Sequence, residues 1–281
     1  MKQRYLTKRL LTNFLEDMRS REYSPGTIEK YWRNVVQFAK FLGSGSINRQ
    51  AVSQWKDQLL SQGQKPETIN GKLSAVELFL RFCGREDCIV PHFKIQRRLF
   101  REENRELTQE EYSRLLNTAN RQGKVRLGLL LQTICSTGIR VSEVQYITVE
   151  AARQGCSEIS LKGKIRTILL PQKLCRKLLQ YAQKNKIAFG EIFITKSGKR
   201  LSRKQIWTEM KALCREAQVN PAKVFPHNLR HLFARTFYRI NRNLVELSSI
   251  LGHSSMETTR IYLLTTASEH KRQLEKLKLL C

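Results

Sequence analysis

Five residues of this 281-residue chain, from about its midpoint onward, have side chains suited to moving a phosphoryl group: Arg140, His227, Arg230, His253 and Tyr262. Arg140 follows a Thr137-Gly138 break in the segment TGIRVSE, at an expected helix start, where backbone N–H groups favour an anion. In PHNLRHLFART, Pro226 suits a first helical turn, and His227 and Arg230 fall three apart on one helical face. LGHSSMETTRIYL supplies His253 and, nine residues later, Tyr262, across a Gly-marked turn and a short polar helix start. Taken singly, each has an ordinary explanation: a surface cation, a satisfied His/Arg pair, and a core aromatic followed by Leu263 and Leu264. Together they suit phosphoryl transfer on a diester without a metal. Two guanidiniums clamp the non-bridging oxygens and stabilise charge in the transition state. An imidazole, whose pKa lies near working pH, moves the nucleophile's proton. A lysine in a flexible hairpin delivers a proton to the leaving oxygen, and a phenol serves as covalent nucleophile.

Other chemistries lack their residues. No G-x-x-x-x-G-K-[ST] loop is present to cradle a nucleotide, and no paired acidic cluster suggests a two-metal site. His227 and His231, four apart, could share a face like zinc ligands, but Asn228 stands where an H-E-x-x-H pattern needs Glu. No metal and no cofactor is expected. The balance of 51 Lys+Arg against 24 Asp+Glu gives +27, which calls for a polyanionic partner, best met by nucleic acid. A hydrophobic content of 41% supports packed cores rather than a disordered basic tail. No apolar run approaches the roughly 18 residues of a membrane span, and the start MKQRYLTKRLLTNF lacks the apolar stretch of a secretory signal. Seven Cys without a C-x-x-C pair read as reduced thiols of an intracellular, cytoplasmic protein.

The elements that must position these residues are mostly helical, with one small antiparallel sheet. Leu10, Phe14 and Met18 mark a first amphipathic helix. Ser24-Pro25 caps a second, whose apolar face carries Ile28, Trp32, Val35, Phe38, Ala39 and Leu42 up to Gly43. Val52, Trp55 and Leu59 mark a third, and Pro66 opens a fourth with Ile69, Leu73, Val76 and Leu80 on one face. These four make a small bundle over residues 1–88. The helical period breaks over 89–106, a basic stretch that reads as an interdomain linker and a strap for a ligand, or as a merely solvated charge run. A second domain, 107–281, opens with Thr108 and Glu111 at capping-box spacing. Val125 to Cys135 follows as an apolar helix, then a hairpin from Ile159 and Leu161 through Lys162-Gly163-Lys164 to Leu170, and a short strand at Glu191 to Thr195. Ser202 to Ala217 and Pro226 to Ile240 read as helical.

TGIRVSE, HNLRH and LGHSSMETTRIYL, in this order, closely resemble the signature boxes of the tyrosine recombinases, also called phage integrases. The resemblance extends over nearly the whole chain, and its compact length is most similar to Xer-type recombinases and small mobile-element integrases. It implies a mostly α (α+β) fold, with an N-terminal four-helix SAM-like DNA-clamping domain and a mixed helical catalytic domain. It implies that Tyr262 forms a 3′-phosphotyrosyl link, that Arg140 and Arg230 clamp the scissile phosphate, that His227 is the general base and that His253 hydrogen-bonds the phosphate. Glu143 and His231 fall at supporting positions, Glu143 by orienting a neighbouring cation. Lys162 is the implied general acid, with Lys164 its rival because the turn is one residue shorter than the common form. Double-stranded DNA is the implied partner, bound by a self-associating tetramer on paired sites, with any accessory protein unassigned. The tail from Leu264 to Cys281 would dock as a helix on a neighbouring subunit or fold back on its own domain. A type IB topoisomerase-like enzyme and a non-catalytic DNA-binding protein are the alternatives.

Overall fold

The computed structural model describes residues 5–95, 105–161, 164–253, 255–263 and 267–276. Contacts divide the chain into two compact units, Met1–Arg97 and Arg98–Cys281.

The first unit is built from α1 (Lys8–Ser20), α2 (Pro25–Leu42), α3 (Arg49–Ser61) and α4 (Pro66–Phe82). Their starts are set by local chemistry. The side chains of Thr7, Ser24 and Asn48 accept from backbone N–H groups of the first turns, and Pro25 and Pro66 stand just inside α2 and α4. The four apolar faces meet in one core that includes Phe14, Met18, Val35, Phe38, Trp55, Ile69 and Phe79. Phe14 meets Phe79 edge to face at 5.3 Å, and Phe38 lies 5.2 Å from Trp55. The first residues of the expected linker lie on this unit. Asn70 holds the Phe93 backbone from both sides, donating to its carbonyl at 2.9 Å and accepting from its N–H at 2.8 Å.

In the second unit α5 (Gln109–Arg121) begins with the expected capping box: Glu111 N–H donates to Thr108 Oγ1 at 3.2 Å, and Thr108 N–H to Glu111 Oε2 at 2.9 Å. Next comes α6 (Val125–Thr137), whose Leu127, Leu129, Leu130, Leu131 and Ile134 are all buried, as befits a helix inside the core. It ends at Gly138 in the left-handed conformation, φ +65°. A six-residue 3₁₀ turn, Val141–Tyr146, and α7 (Val149–Gln154) lead into the hairpin of β1 (Cys156–Leu161) and β2 (Lys164–Leu169). The register pairs Cys156 with Leu169 and Leu161 with Lys164. Ile159 and Ile168 turn into the core, while Leu169 is exposed. Lys162 and Gly163 lie outside the described residues.

After the hairpin come α8 (Gln172–Lys184), α9 (Arg203–Lys211), α10 (Cys214–Ala217), α11 (Pro226–Asn241), α12 (Leu244–Leu251), α13 (Met256–Arg260) and, within the tail, α14 (Ala267–Lys276). The expected strand over Glu191 to Thr195 is corrected. Among the described residues the segment makes two isolated bridges, Thr148 with Glu191 and Ile194 with Arg200. Its buried Ile192 and Phe193 explain the apolar signal, but its backbone is pinned at separate points, with Ile192 N–H donating to Ile147 O. Among the described residues no neighbouring strand runs beside it for long enough to form a ladder. Among the described residues no helix is long and apolar enough to cross a membrane.

Gly138 is the point where α6 meets the site. A Cβ there would fall 2.4 Å from Cδ1 of Phe233 and 3.0 Å from Leu251, on a backbone that already disfavours L side chains. Gly155, at φ +77°, has nothing within 4 Å of the same position. Gly155→Ala should therefore cost only the conformational strain, about 1 kcal/mol. Gly138→Ala should cost about 3 kcal/mol or more, because an aromatic ring must also move. Thermal unfolding of the two variants checks the difference, at roughly 2–4 °C per kcal/mol for a unit of this size.

Candidate active site

Three consecutive carbonyls at the C-terminal end of α12 hold three different arginines. Ile250 O accepts from Arg166 Nη2 at 2.6 Å, Leu251 O from Arg230 Nη2 at 2.7 Å, and Gly252 O from Arg140 Nη2 at 3.1 Å. These carbonyls are among the last of the helix, have no partner within it and carry the negative end of its dipole, so cations gather there. Gly252, at φ +61°, turns the chain out of the helix and leads directly to His253.

Arg230, on α11, is 1% exposed. Its Nη1 donates to Gly138 O at 2.6 Å, and its Nη2 lies 2.8 Å from His253 Nε2. Because guanidinium has no acceptor, Nε2 must accept. The ring proton of neutral His253 is then on Nδ1, which lies 2.8 Å from Thr259 Oγ1. Burial and then the Arg140 charge lower the Arg230 guanidinium to about 10, with the neighbouring Tyr262 phenol acting in the opposite direction.

Arg140, expected at a helix start open to an anion, instead precedes a 3₁₀ turn. Its own N–H is taken by Glu143 Oε2 at 2.8 Å. A turn of six residues projects few free N–H groups, so the cationic side chain is what the site presents here. That side chain is 40% exposed, and its Nη1 donates to Glu143 Oε1 at 2.8 Å. Glu143, 1% exposed, also receives Arg166 Nη1 on both oxygens, at 2.9 and 2.8 Å. Burial pushes its carboxyl up, but the Arg140 backbone hydrogen bond and the Arg166 and Arg140 charges outweigh this and hold it below the ordinary carboxylate range.

Tyr262 is 5% exposed, its ring packed with Ala234, Leu247 and Leu251 in a small cluster of its own. His231 meets it edge-on at 4.8 Å and His253 lies nearly parallel at 6.0 Å. His227 contacts His231 at 4.5 Å, so four rings run His227, His231, Tyr262, His253. All three imidazoles are held below their ordinary range, by burial first and then by neighbouring charge from Arg230 and others. His231 and His253 come down to about 4. At neutral pH they are uncharged.

The structure thus brings Arg140, His227, Arg230, His253 and Tyr262 together with Glu143 and His231; Lys162 falls outside the described residues. Sequence reasoning missed Arg166, which lies in β2. The signal was strand alternation: Arg166 falls two residues before inward-facing Ile168, placing a cation on the core side of β2. Among the described residues no group of three or more His, Cys, Asp or Glu is arranged to hold a metal ion.

The phage integrase family model matches residues 105–269, and the N-terminal SAM-like domain model of phage integrases matches residues 11–87. Tyrosine recombinase XerA of Pyrococcus furiosus is 28% identical over 290 residues, covering 100% of this chain and 98% of that protein. Tyrosine recombinase XerD of Vibrio cholerae is 24% identical, covering 94% of each. Among solved structures, the Tn1549 transposon integrase in complex with transposon right end DNA shares the fold at a TM-score of 0.70 and 16% identity, over 96% of this chain and 99% of that one. XerH site-specific recombinase bound to difH substrate does so at 0.69 and 17%, over 95% and 84%. The chain belongs to the phage integrase family, the tyrosine recombinases.

The depressed imidazoles make the fold sensitive to acid. The unfolded chain binds their protons near pH 6.5 and the folded chain only near 4. Between these values the unfolded state holds more protons, so stability is fully present above 6.5 and falls as pH drops towards 4. The unfolding temperature should decline over that window, and less steeply in His231→Phe, which keeps a ring beside Tyr262 but cannot titrate. Melts at several pH values check this.

Proposed function

We propose that this chain is a site-specific DNA recombinase that cuts and rejoins strands through Tyr262. The observation that carries the reading is the convergence on one helix end: the Tyr262 ring lies among uncharged imidazoles beside Arg230, with the half-exposed Arg140 bound to the same turn.

In the cleavage step the Tyr262 oxygen attacks the scissile phosphorus and its proton passes to His227. The P–O5′ bond breaks, and the leaving 5′-oxygen takes a proton from Lys162, or from its rival Lys164. Arg140 and Arg230 neutralise the charge that builds on the non-bridging oxygens, and His253 hydrogen-bonds the same phosphate once its ring proton moves to Nε2 and that nitrogen leaves Arg230. His231 supports Tyr262 by ring contact. The product is a 3′-phosphotyrosyl ester and a free 5′-hydroxyl. Attack by a 5′-hydroxyl from a second strand reverses each transfer, so the diester energy is conserved and no nucleotide is consumed.

Exchange between two duplexes needs four such cuts, hence a homotetramer assembled on DNA. The two domains, 1–88 and 107–281, joined by the basic segment 89–106, would grip the duplex, and the charge of +27 supplies phosphate contacts that weaken as salt rises. The reading places the protein in the cytoplasm, acting for a mobile element or on a simple chromosomal site.

Covalent capture tests it. Nicked duplexes carrying a target selected from random sequence should yield a protein–DNA adduct on a denaturing gel without added metal. Tyr262→Phe should abolish the adduct, while Tyr238→Phe, altering a tyrosine of the same cluster, should retain it. DNA bound to a verified target without an adduct would make this a binding protein; relaxation of supercoils without strand exchange would make it topoisomerase-like.

A further inference from the structure

Arg166 reaches out of the hairpin into the centre of the site. Its Nη1 bridges both oxygens of Glu143 at 2.9 and 2.8 Å, and its Nη2 donates to Ile250 O at 2.6 Å. Its side chain is only 12% exposed, and its Nε has no hydrogen-bond partner among the described residues. A buried donor left unpaired costs stability, so the bonds made by Nη1 and Nη2 are what hold the side chain in this position. The path it follows exists because residue 252 is glycine: a Cβ there would fall 2.4 Å from Arg166 Cδ and 2.8 Å from Nε.

Two consequences follow for the phosphate clamp. Glu143 orients Arg140, but a lone carboxylate paired with a lone guanidinium would cancel the charge that Arg140 offers to a phosphate. With Arg166 on the same carboxylate the three groups sum to one positive charge, and Arg140 is the member exposed to solvent. The second consequence is mechanical. By holding Ile250 O, Arg166 fixes the α12 end whose next two carbonyls hold Arg230 and Arg140 and whose next residue after Gly252 is His253.

We propose that Arg166 is a positioning residue of the phosphate clamp, which neutralises Glu143 and locks the α12 end so that Arg140 keeps both its charge and its direction. The proposal rests on the recombinase reading. Lysine cannot replace it fully, because a single ammonium lacks the planar fork that reaches Glu143 and Ile250 O together.

The test compares strand cleavage by the full-length wild type, Arg166→Ala and Arg166→Lys on the captured target. The scissile position is either the natural diester or a methylphosphonate, in which a methyl group replaces one non-bridging oxygen and removes its charge. Arg166→Ala should cut the diester about 100-fold more slowly, the scale of loss when a positioned group shifts by an ångström, and Arg166→Lys should fall between. On the neutral methylphosphonate, where less charge needs stabilising, the gap between Arg166→Ala and wild type should shrink to a few-fold. A merely structural role would leave the gap equal on both substrates, and that result overturns the proposal.

The double variant Arg166→Ala/Glu143→Gln gives a second readout on the diester alone, so it decides the question even where the neutral substrate is cut too slowly to time. Removing the uncompensated carboxylate charge should make the double variant faster than Arg166→Ala. A double variant as slow or slower overturns the proposal. Failure of the wild type to form any adduct would instead overturn the recombinase reading, and the proposal with it.

Discussion

A guanidinium that is almost wholly buried must find an acceptor for its donors, and Arg230 finds them at two helix ends. Its partners are Gly138 O beyond α6 and Leu251 O at the end of α12, with His253 Nε2 beside them. Helix termini leave carbonyls unpaired, and a buried cation without partners is costly, so each need is met by the other. This mutual satisfaction makes α6, α11 and α12 converge. Both helices stop at a left-handed glycine, Gly138 and Gly252, which turns the chain away and leaves the carbonyls open to arginine.

From that convergence the electrostatics of the site follow. Its described charged members are three arginines and one carboxylate, Glu143, so the cluster is strongly positive before any phosphate arrives. Burial first, and then the charge of neighbours such as Arg230, keeps His231 and His253 uncharged, because protonation would place a cation in a desolvated, already cationic site. A positive site with neutral bases is the combination that attack by a phenol on a phosphodiester requires. It is held by backbone carbonyls together with a single carboxylate, Glu143, in a chain short of Asp and Glu.

Much of the helical frame could be read locally. The starts of α2 and α5 follow from Ser24-Pro25 and from Thr108 with Glu111, contacts between residues no more than three apart in sequence. The hairpin follows from alternation, Ile159 and Ile168 facing inward. The segment 191–195 misled because burial of Ile192 and Phe193 leaves the same apolar trace whether or not a neighbouring strand is present. Whether a strand forms depends on backbone partners supplied from elsewhere in the chain.

The sequence alone determined which chemistry was available: the types and order of Arg140, His227, Arg230, His253 and Tyr262, and the helix α11 that carries His227 and Arg230, are local properties of composition and period. Only the tertiary structure decided how these groups are electrostatically set. The contact between Arg230 and Gly138 O spans 92 residues, that between Arg140 and Gly252 O 112, and that between Arg166 and Ile250 O 84. No spacing rule reaches so far. The protonation of the imidazoles and the compensation of Glu143 depend on burial and on charges brought together by packing, so they exist only once the helix ends have met.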